Sequence, residues 1–481
     1  METSMKKIIV TALILFAGFA TPVYALSDAQ SMAIQALLDD ACRISGVPGM
    51  SISIITGDET VYFSSGFTDR EKGLPASEST LYELASVSKA FTGAGILLLE
   101  EQGLLSMTDP VQKYLPWFTL NYQGVPVDMQ NLTLNHFLHH TSGLTNGKHI
   151  QNIPQGITPD MLQKTVEILA DAELAFLPGK QYNYGTVNYD VLGLVIEVVS
   201  GQSYENFMTE QVFRPLGLHD TYVYKADAQA TGLLAQGYRT SFFTTTPYDA
   251  PDYAGNKPAG YIMSCAIDIA RWMNIQMGII QDIPEVFKAV IMKSHQGDIS
   301  VPDVNGMYYA AGWSVNADKT IIEHAGGNPN FATDVAIMPD ERVAVCLLSN
   351  GANTNIELVK NIKNILDGNL AQSYKISGRQ LLDIVLSSVT IIVCLLAIAF
   401  FLLGLRRKKI NKRQQITKKS MLITIVWLMV TAAMWIMCWI FPMFSGYDWP
   451  TILVWQTYSI LTTFISLALL STSVTWFVYA R

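Results

Sequence analysis

Tyr82-Glu83-Leu84-Ala85-Ser86-Val87-Ser88-Lys89-Ala90-Phe91-Thr92-Gly93 is the stretch on which the reading of this chain turns. The apolar-periodic run that starts at Ser88 and stops at Gln102, before Gly103, predicts a helix. Ser86 and Lys89 then fall one turn apart on a single face, so the amine reaches the serine hydroxyl. A nucleophile at a helix N-terminus also gains from the positive end of the dipole and from free N–H groups that can hold an oxyanion. A Ser followed three residues later by Lys arises about once by chance in a chain of this length, so the surroundings have to carry the reading.

Working outward, Met50–Ile55 alternates, Gly57-Asp58 supplies a turn, and Thr60-Val61-Tyr62-Phe63 completes a β-hairpin. Short strands follow far downstream at 308–315, 319–323, 334–338 and 343–348, so the sheet is assembled from both ends of the domain. Between them the pattern is helical, at 88–102, 188–200 and 267–279. The economical architecture is mixed α/β of the α+β kind: a central antiparallel sheet flanked by helices, with a helical lobe inserted between its strands.

The chain has 481 residues, half of them hydrophobic, and the ends explain the excess. Lys6 and Lys7 precede an apolar run from Ile8 to Ala20, and Val23-Tyr24-Ala25 offers a small-residue cleavage site, so residues 1–25 read as a signal peptide. Residues 26–375 form the exported domain, a Gly-, Ser-, Asn- and Gln-rich linker covers 367–380, and 376–481 is a membrane domain. Its uncharged runs 384–405, 421–444 and 451–480 are each long enough for a hydrocarbon core of about 30 Å. Arg406, Arg407, Lys408, Lys409, Lys412, Arg413, Lys418 and Lys419 crowd the first connection, whereas 442–450 carries only Asp448. The basic connection belongs in the cytoplasm, which leaves the domain before it on the periplasmic or extracellular side of a bacterial inner membrane.

Setting those eight cations aside leaves 24 basic against 40 acidic residues, a net charge of −16 that argues against nucleic acid as a partner. Cys42, Cys265 and Cys346 of the exported part allow at most one disulfide and have no zinc spacing. His136, His139 and His140 have helical spacing without a carboxylate third ligand, so structural roles are expected, with no metal and no cofactor.

Four ordered runs carry a resemblance: 82–93, His139-His140-Thr141-Ser142-Gly143-Leu144, Pro178-Gly179-Lys180 through Tyr184 to Leu192-Gly193, and His324-Ala325-Gly326-Gly327. Their order and spacing resemble the serine β-lactamase-related family of class C β-lactamases, penicillin-binding proteins and esterases, across nearly all of 30–350. The resemblance implies a β-lactamase/transpeptidase-like fold with Ser86 as acylated nucleophile, Lys89 as its base partner and Tyr184 as proton shuttle. It puts His324 on the strand edging the site and the N–H groups of Ser86 and Gly327 in the oxyanion hole. Thr186 stands where many relatives have Asn, which weakens the case for β-lactamase activity.

Three C-terminal spans, with the runs 120–124, 188–193 and 326–331, look like the colibactin-maturation peptidase group, periplasmic enzymes that remove an N-acyl-D-asparagine cap from an exported precursor. On that likeness Thr186 and Asn328 contact the D-Asn side chain, and Asn256 takes the place where a histidine is expected. The partners implied are an acylated peptide substrate, membrane lipid and an exporter. A D-Ala-D-Ala carboxypeptidase or D-aminoacyl esterase of the envelope is the second reading, and a penicillin sensor the third.

Overall fold

The computed structural model describes residues 26–149, 153–302, 306–353, 357–410 and 418–480. The expected signal peptide 1–25 and the 411–417 part of the basic connection lie outside the described residues.

Eight strands form one antiparallel sheet: β1 (Gly49–Thr56), β2 (Glu59–Asp69), β3 (Leu74–Pro75), β4 (Tyr308–Tyr309), β5 (Ser314–Val315), β6 (Ile322–Gly327), β7 (Ala332–Met338) and β8 (Val343–Ser349), in the order β4-β5-β6-β7-β8-β1-β2-β3. The two ends of the domain therefore meet at the β8–β1 pair, where Met50 lies opposite Ser349 and Ile54 opposite Val345. All eight residues of β1 are buried, because helices cover both faces of the sheet. On one face α1 (Asp28–Ser45) sets Ile34 and Leu38 against Ile52 and Ile54. On the other lie α2 (Ser88–Glu101), α3 (Val187–Ser200) and α4 (Ala266–Gln276), and Phe91 of α2 stacks on Trp272 of α4 with ring centroids 4.8 Å apart.

Helix α2 is buried along its whole length from Ser88 to Leu99. A helix apolar on every side belongs in the middle of a protein, and this one is the axis on which the helical lobe and the sheet both pack. The backbone of the β4–β5 turn packs directly on it. Gly312 has φ +80°, and a Cβ there would lie 2.3 Å from Ala90 N and 2.4 Å from Lys89 C. Glycine is needed for both the dihedral and the approach.

After α5 (Glu357–Leu366) come three helices long and apolar enough to cross a membrane: α6 (Gly378–Ile410), α7 (Lys418–Ser445) and α8 (Ser459–Tyr479). The run 451–480, expected as one span, is divided. Asp448 caps a short helix, Trp449–Trp455, that ends with Gln456 in extended conformation, and α8 begins three residues later. The reason is a polar clamp in an apolar stretch: Thr457 donates to Asp383 of α6 and lies 2.9 Å from the Ser459 hydroxyl. All five cysteines are unpaired.

Gly312→Ala is expected to cost about 2–4 kcal/mol, from a forced left-handed alanine and a backbone clash under Lys89. Thermal unfolding of the full chain checks this, and an unchanged midpoint would refute the packing described.

Candidate active site

Ser86 sits in a single 3-10 turn, Ala85–Val87, that leads into α2. It is the one residue of 81–90 that is not buried, and it lies beside a cleft lined by Tyr184, Tyr309 and His324. Ala85 before it holds φ +46°, a left-handed conformation rarely taken by alanine. The turn is wedged from both sides: Leu84 N donates to Ile262 O at 2.8 Å, and Gly326 of β6 leaves no room for a side chain, since a Cβ there would lie 2.5 Å from Leu84 O and 3.0 Å from Ser86 N. Gly327, the next residue, is exposed and unobstructed at the end of β6.

Lys89 is wholly buried. Its Nζ lies 3.2 Å from Ser86 Oγ, 3.1 Å from Thr186 Oγ1 and 2.6 Å from Ala259 O. Burial pushes its ammonium down, to about 7, against the pull of Asp190, and burial pushes the Asp190 carboxyl up, to about 8. Both shifts favour an uncharged pair. A carbonyl can only accept, so a neutral amine gives one N–H to Ala259 O and the other to Thr186 Oγ1. Its lone pair is then left for the Ser86 O–H.

Tyr184 lies across the cleft from α2, its ring centroid 5.0 Å from Lys89 Nζ. Its hydroxyl is buried and makes no hydrogen bond among the described residues, with Ser86, Tyr309 and Thr186 as the polar groups facing it. Burial raises the phenol well above its ordinary range, so Tyr184 is a proton carrier that starts protonated. His324 of β6 faces it with rings 6.2 Å apart. His324 Nδ1 is 2.8 Å from Ala325 O and therefore carries the proton, which leaves Nε2 to accept from the Tyr309 hydroxyl at 2.8 Å. Burial, then the neighbouring Lys89, pushes His324 down to about 3, so it is a neutral imidazole.

The structure thus brings Ser86, Lys89, Tyr184, Thr186 and His324 to one cleft, with Gly327 at its edge. Asn256 and Asn328 are buried, 6 % and 2 % exposed. Asn328 Nδ2 donates to Glu83 Oε2 at 2.6 Å and to Gly260 O at 3.0 Å, and Asn256 Nδ2 donates to Asp190 Oδ2 at 2.6 Å.

Several residues that build the site were not singled out from sequence. Asn188 ties two motifs together: it accepts from Ser142 Oγ at 2.6 Å and donates to His140 Nδ1 at 3.0 Å. His140, fully buried among Tyr184, Tyr189 and Tyr309, is thereby a packing element beneath the tyrosines. His136 and His139 are engaged separately, with Thr133 and with Tyr309 O. Tyr309, Asp190 and Ala259 join through contacts distant in sequence, which no local pattern signals.

A family model described as Beta-lactamase matches residues 34–370. Protein flp of Staphylococcus aureus strain MW2 is 27% identical over 469 residues, which take in 94% of this chain and 90% of that one. Penicillin-binding protein 4* of Bacillus subtilis strain 168 is 28% identical over 312 residues, covering 61% of this chain and 66% of its own. Among solved structures, the octameric penicillin-binding protein homologue from Pyrococcus abyssi superimposes with a TM-score of 0.61 at 25% identity, covering 71% of this chain and 78% of that one. The beta-lactamase/D-alanine carboxypeptidase from Pseudomonas syringae superimposes at 0.60 and 20% identity, over 71% and 99%, a likeness of fold. The extent of the family match, together with the cleft that joins its motifs, establishes that this chain belongs to the beta-lactamase family, whose members are serine hydrolases acting through an acyl-enzyme.

Proposed function

We propose that the chain is a serine peptidase held at the outer face of the bacterial inner membrane, cleaving the amide after an N-acyl-D-asparagine to mature an exported peptide. The neutral Lys89 takes the Ser86 proton as Ser86 Oγ attacks the carbonyl carbon. The tetrahedral oxyanion settles between the N–H groups of Ser86 and Gly327. When the C–N bond breaks, the departing amine takes a proton from the Tyr184 phenol, which Lys89 replenishes. Water then opens the acyl-enzyme through the same groups in reverse.

The observation that carries the choice of side chain is the pair of amide oxygens packed around Gly260. A Cβ there would sit 3.7 Å from Asn328 Oδ1, 3.8 Å from Asn256 Oδ1 and 3.9 Å from Ala85 C, the residue before the nucleophile. Asn328 Nδ2 faces Glu83 Oε2 and Gly260 O, which orients its amide. Two amide oxygens therefore lie near Gly260 and the residue before Ser86, and two acceptors match the two N–H bonds of a primary amide. The apolar helices α6, α7 and α8 support membrane attachment, and the basic residues clustered over 406–419 of the sequence support the orientation. A cell-envelope D-Ala-D-Ala carboxypeptidase or D-aminoacyl esterase draws on the same machinery and is favoured by the activity named for the Pseudomonas syringae protein.

The test is incubation of the full chain, in lipid nanodiscs, with an N-acyl-D-asparaginyl amide, its L-counterpart, a D-Ala-D-Ala peptide and a chromogenic cephalosporin. Selective release from the D-asparaginyl compound is expected, with loss to background in Ser86→Ala. Lys89→Ala is expected to lose about 10³-fold or more and Tyr184→Phe about 10²-fold. Turnover of the D-Ala-D-Ala peptide alone would move the assignment to the envelope.

Acylation of Ser86 is expected to rise with pH across about 7, as Lys89 loses its proton. Thr186→Val removes an acceptor that favours the ammonium form, so the amine is easier to deprotonate and the rising limb moves to lower pH. Stopped-flow acylation with an activated ester checks this, and a move to higher pH would contradict the role given to Thr186.

A further inference from the structure

Strand β5 covers β6 only at its start. Val315 lies opposite Ile322 and Ser314 opposite Glu323, and among the described residues no strand pairs with that edge from His324 onward. The other edge stays paired with β7 as far as Gly327, opposite Ala332. His324 faces Tyr309 and Tyr184, so its two neighbours Glu323 and Ala325 stand on the opposite face by strand alternation. Asp334 is the β7 partner of Ala325 and shares that face.

The catalytic cleft reaches around this open edge. One cavity of about 210 Å³ is lined by Tyr182, Tyr184, Tyr309 and His324 together with Glu323 and Asp334. Ala325, exposed between the two groups, carries only a methyl and does not wall them apart. The tyrosines are packed as a unit: Tyr182 stacks on Tyr309 with centroids 6.0 Å apart, and Tyr184 meets Tyr309 edge-on at 5.9 Å. Two carboxyls beside a group of aromatic rings form a setting that holds organic cations.

A second feature points to a ligand. Asp334 is 7 % exposed, and its Oδ2 has no hydrogen-bond partner among the described residues. A buried polar atom left unpaired is disfavoured, and a carboxylate more so than most. Burial and the neighbouring Glu323 push the Asp334 carboxyl well up, against the pull of Lys360 of α5, which is itself paired with Glu357 at 3.4 Å. A cation between the two carboxyls would favour their ionised forms and supply the donor that Oδ2 lacks.

We propose that this end of the cleft is the leaving-group subsite, and that it selects substrates whose departing amine carries a second, positively charged group, an ammonium or a guanidinium, held by Glu323 and Asp334. The charged group crosses the open edge of β6 over Ala325, and the tyrosines flank the chain that links it to the scissile nitrogen. The inference rests on the proposed mechanism, which places the departing amine at Tyr184. It adds to that reading a requirement on the side of the substrate that is released.

The experiment measures equilibrium binding to the full chain carrying Ser86→Ala in phosphatidylcholine nanodiscs, with empty nanodiscs subtracted. The probes are the N-acetyl-D-asparaginyl and N-acetyl-D-alanyl amides of 1,5-diaminopentane and of hexylamine, in which a methyl replaces the ammonium. The ammonium ligand is expected to bind about tenfold more tightly than its methyl counterpart, through charge-assisted hydrogen bonds. Glu323→Gln is expected to cut that preference about threefold. Glu323→Lys is expected to reverse it, and Glu323→Gln combined with Asp334→Asn to abolish it. Glu323 is half-buried, so its two variants decide the matter even where the buried Asp334→Asn fails to fold. Equal affinity for the ammonium and methyl ligands in both acyl series, or a preference that Glu323→Lys leaves intact, would overturn the proposal. A preference confined to the D-alanyl series upholds the subsite and removes the D-asparaginyl assignment, so the two failures are distinguishable.

Discussion

The structure depends on one buried amine. Lys89 has no exposure to solvent, and its nitrogen is surrounded by three oxygens from three separate segments: Ser86 on the turn before α2, Thr186 at the start of α3 and Ala259 in the 256–261 turn. Bringing a charged lysine into such a place is costly unless it is neutralised or paired, and burial tips the balance toward the free base. The fold is arranged to keep that nitrogen dry. Gly312 lets the β4–β5 turn close on Lys89 from the sheet side, and Gly193 of α3 lies where a side chain would collide with Pro258, so helix and turn meet without a gap.

From the same centre the electrostatics divide the labour. Lys89 is pushed down and Tyr184 is pushed up, so one group is ready to take a proton and the other to give one. His324 and His140, both buried near the amine, are held neutral and add no competing positive charge. Asp190 adds a carboxyl whose own burial favours the uncharged form, so the pair does not revert readily to a salt bridge. Two like-placed titrating groups displaced in opposite directions are a recurrent sign of acid–base work.

Much of this was legible in the sequence, for reasons that differ by residue. Ser86 and Lys89 are tied by helical spacing, which is a local property. The sheet strands showed as short alternating runs, although β1 is buried on both faces and the two-residue strands β4 and β5 read as one. Tyr184, His324 and Gly327 were located by family likeness, since they lie 98 to 241 residues beyond Ser86 and no periodicity connects them. Ala259, Asp190 and Tyr309 stayed hidden because a backbone carbonyl, a carboxylate in a helix and one tyrosine among 21 carry no local signature of a site. The break before α8 was hidden as well: 451–480 is uniformly uncharged, and only the distant pairing of Thr457 with Asp383 explains where the helix stops.

The central claim is that Lys89 titrates as a neutral base near physiological pH. Its direct measurement is NMR titration of the lysine side-chain ¹³Cε resonances in the full chain, with Lys89 assigned by Lys89→Arg. The account predicts one resonance titrating at about 7. A Lys89 resonance that titrates at the ordinary lysine value of about 10.4 would contradict it.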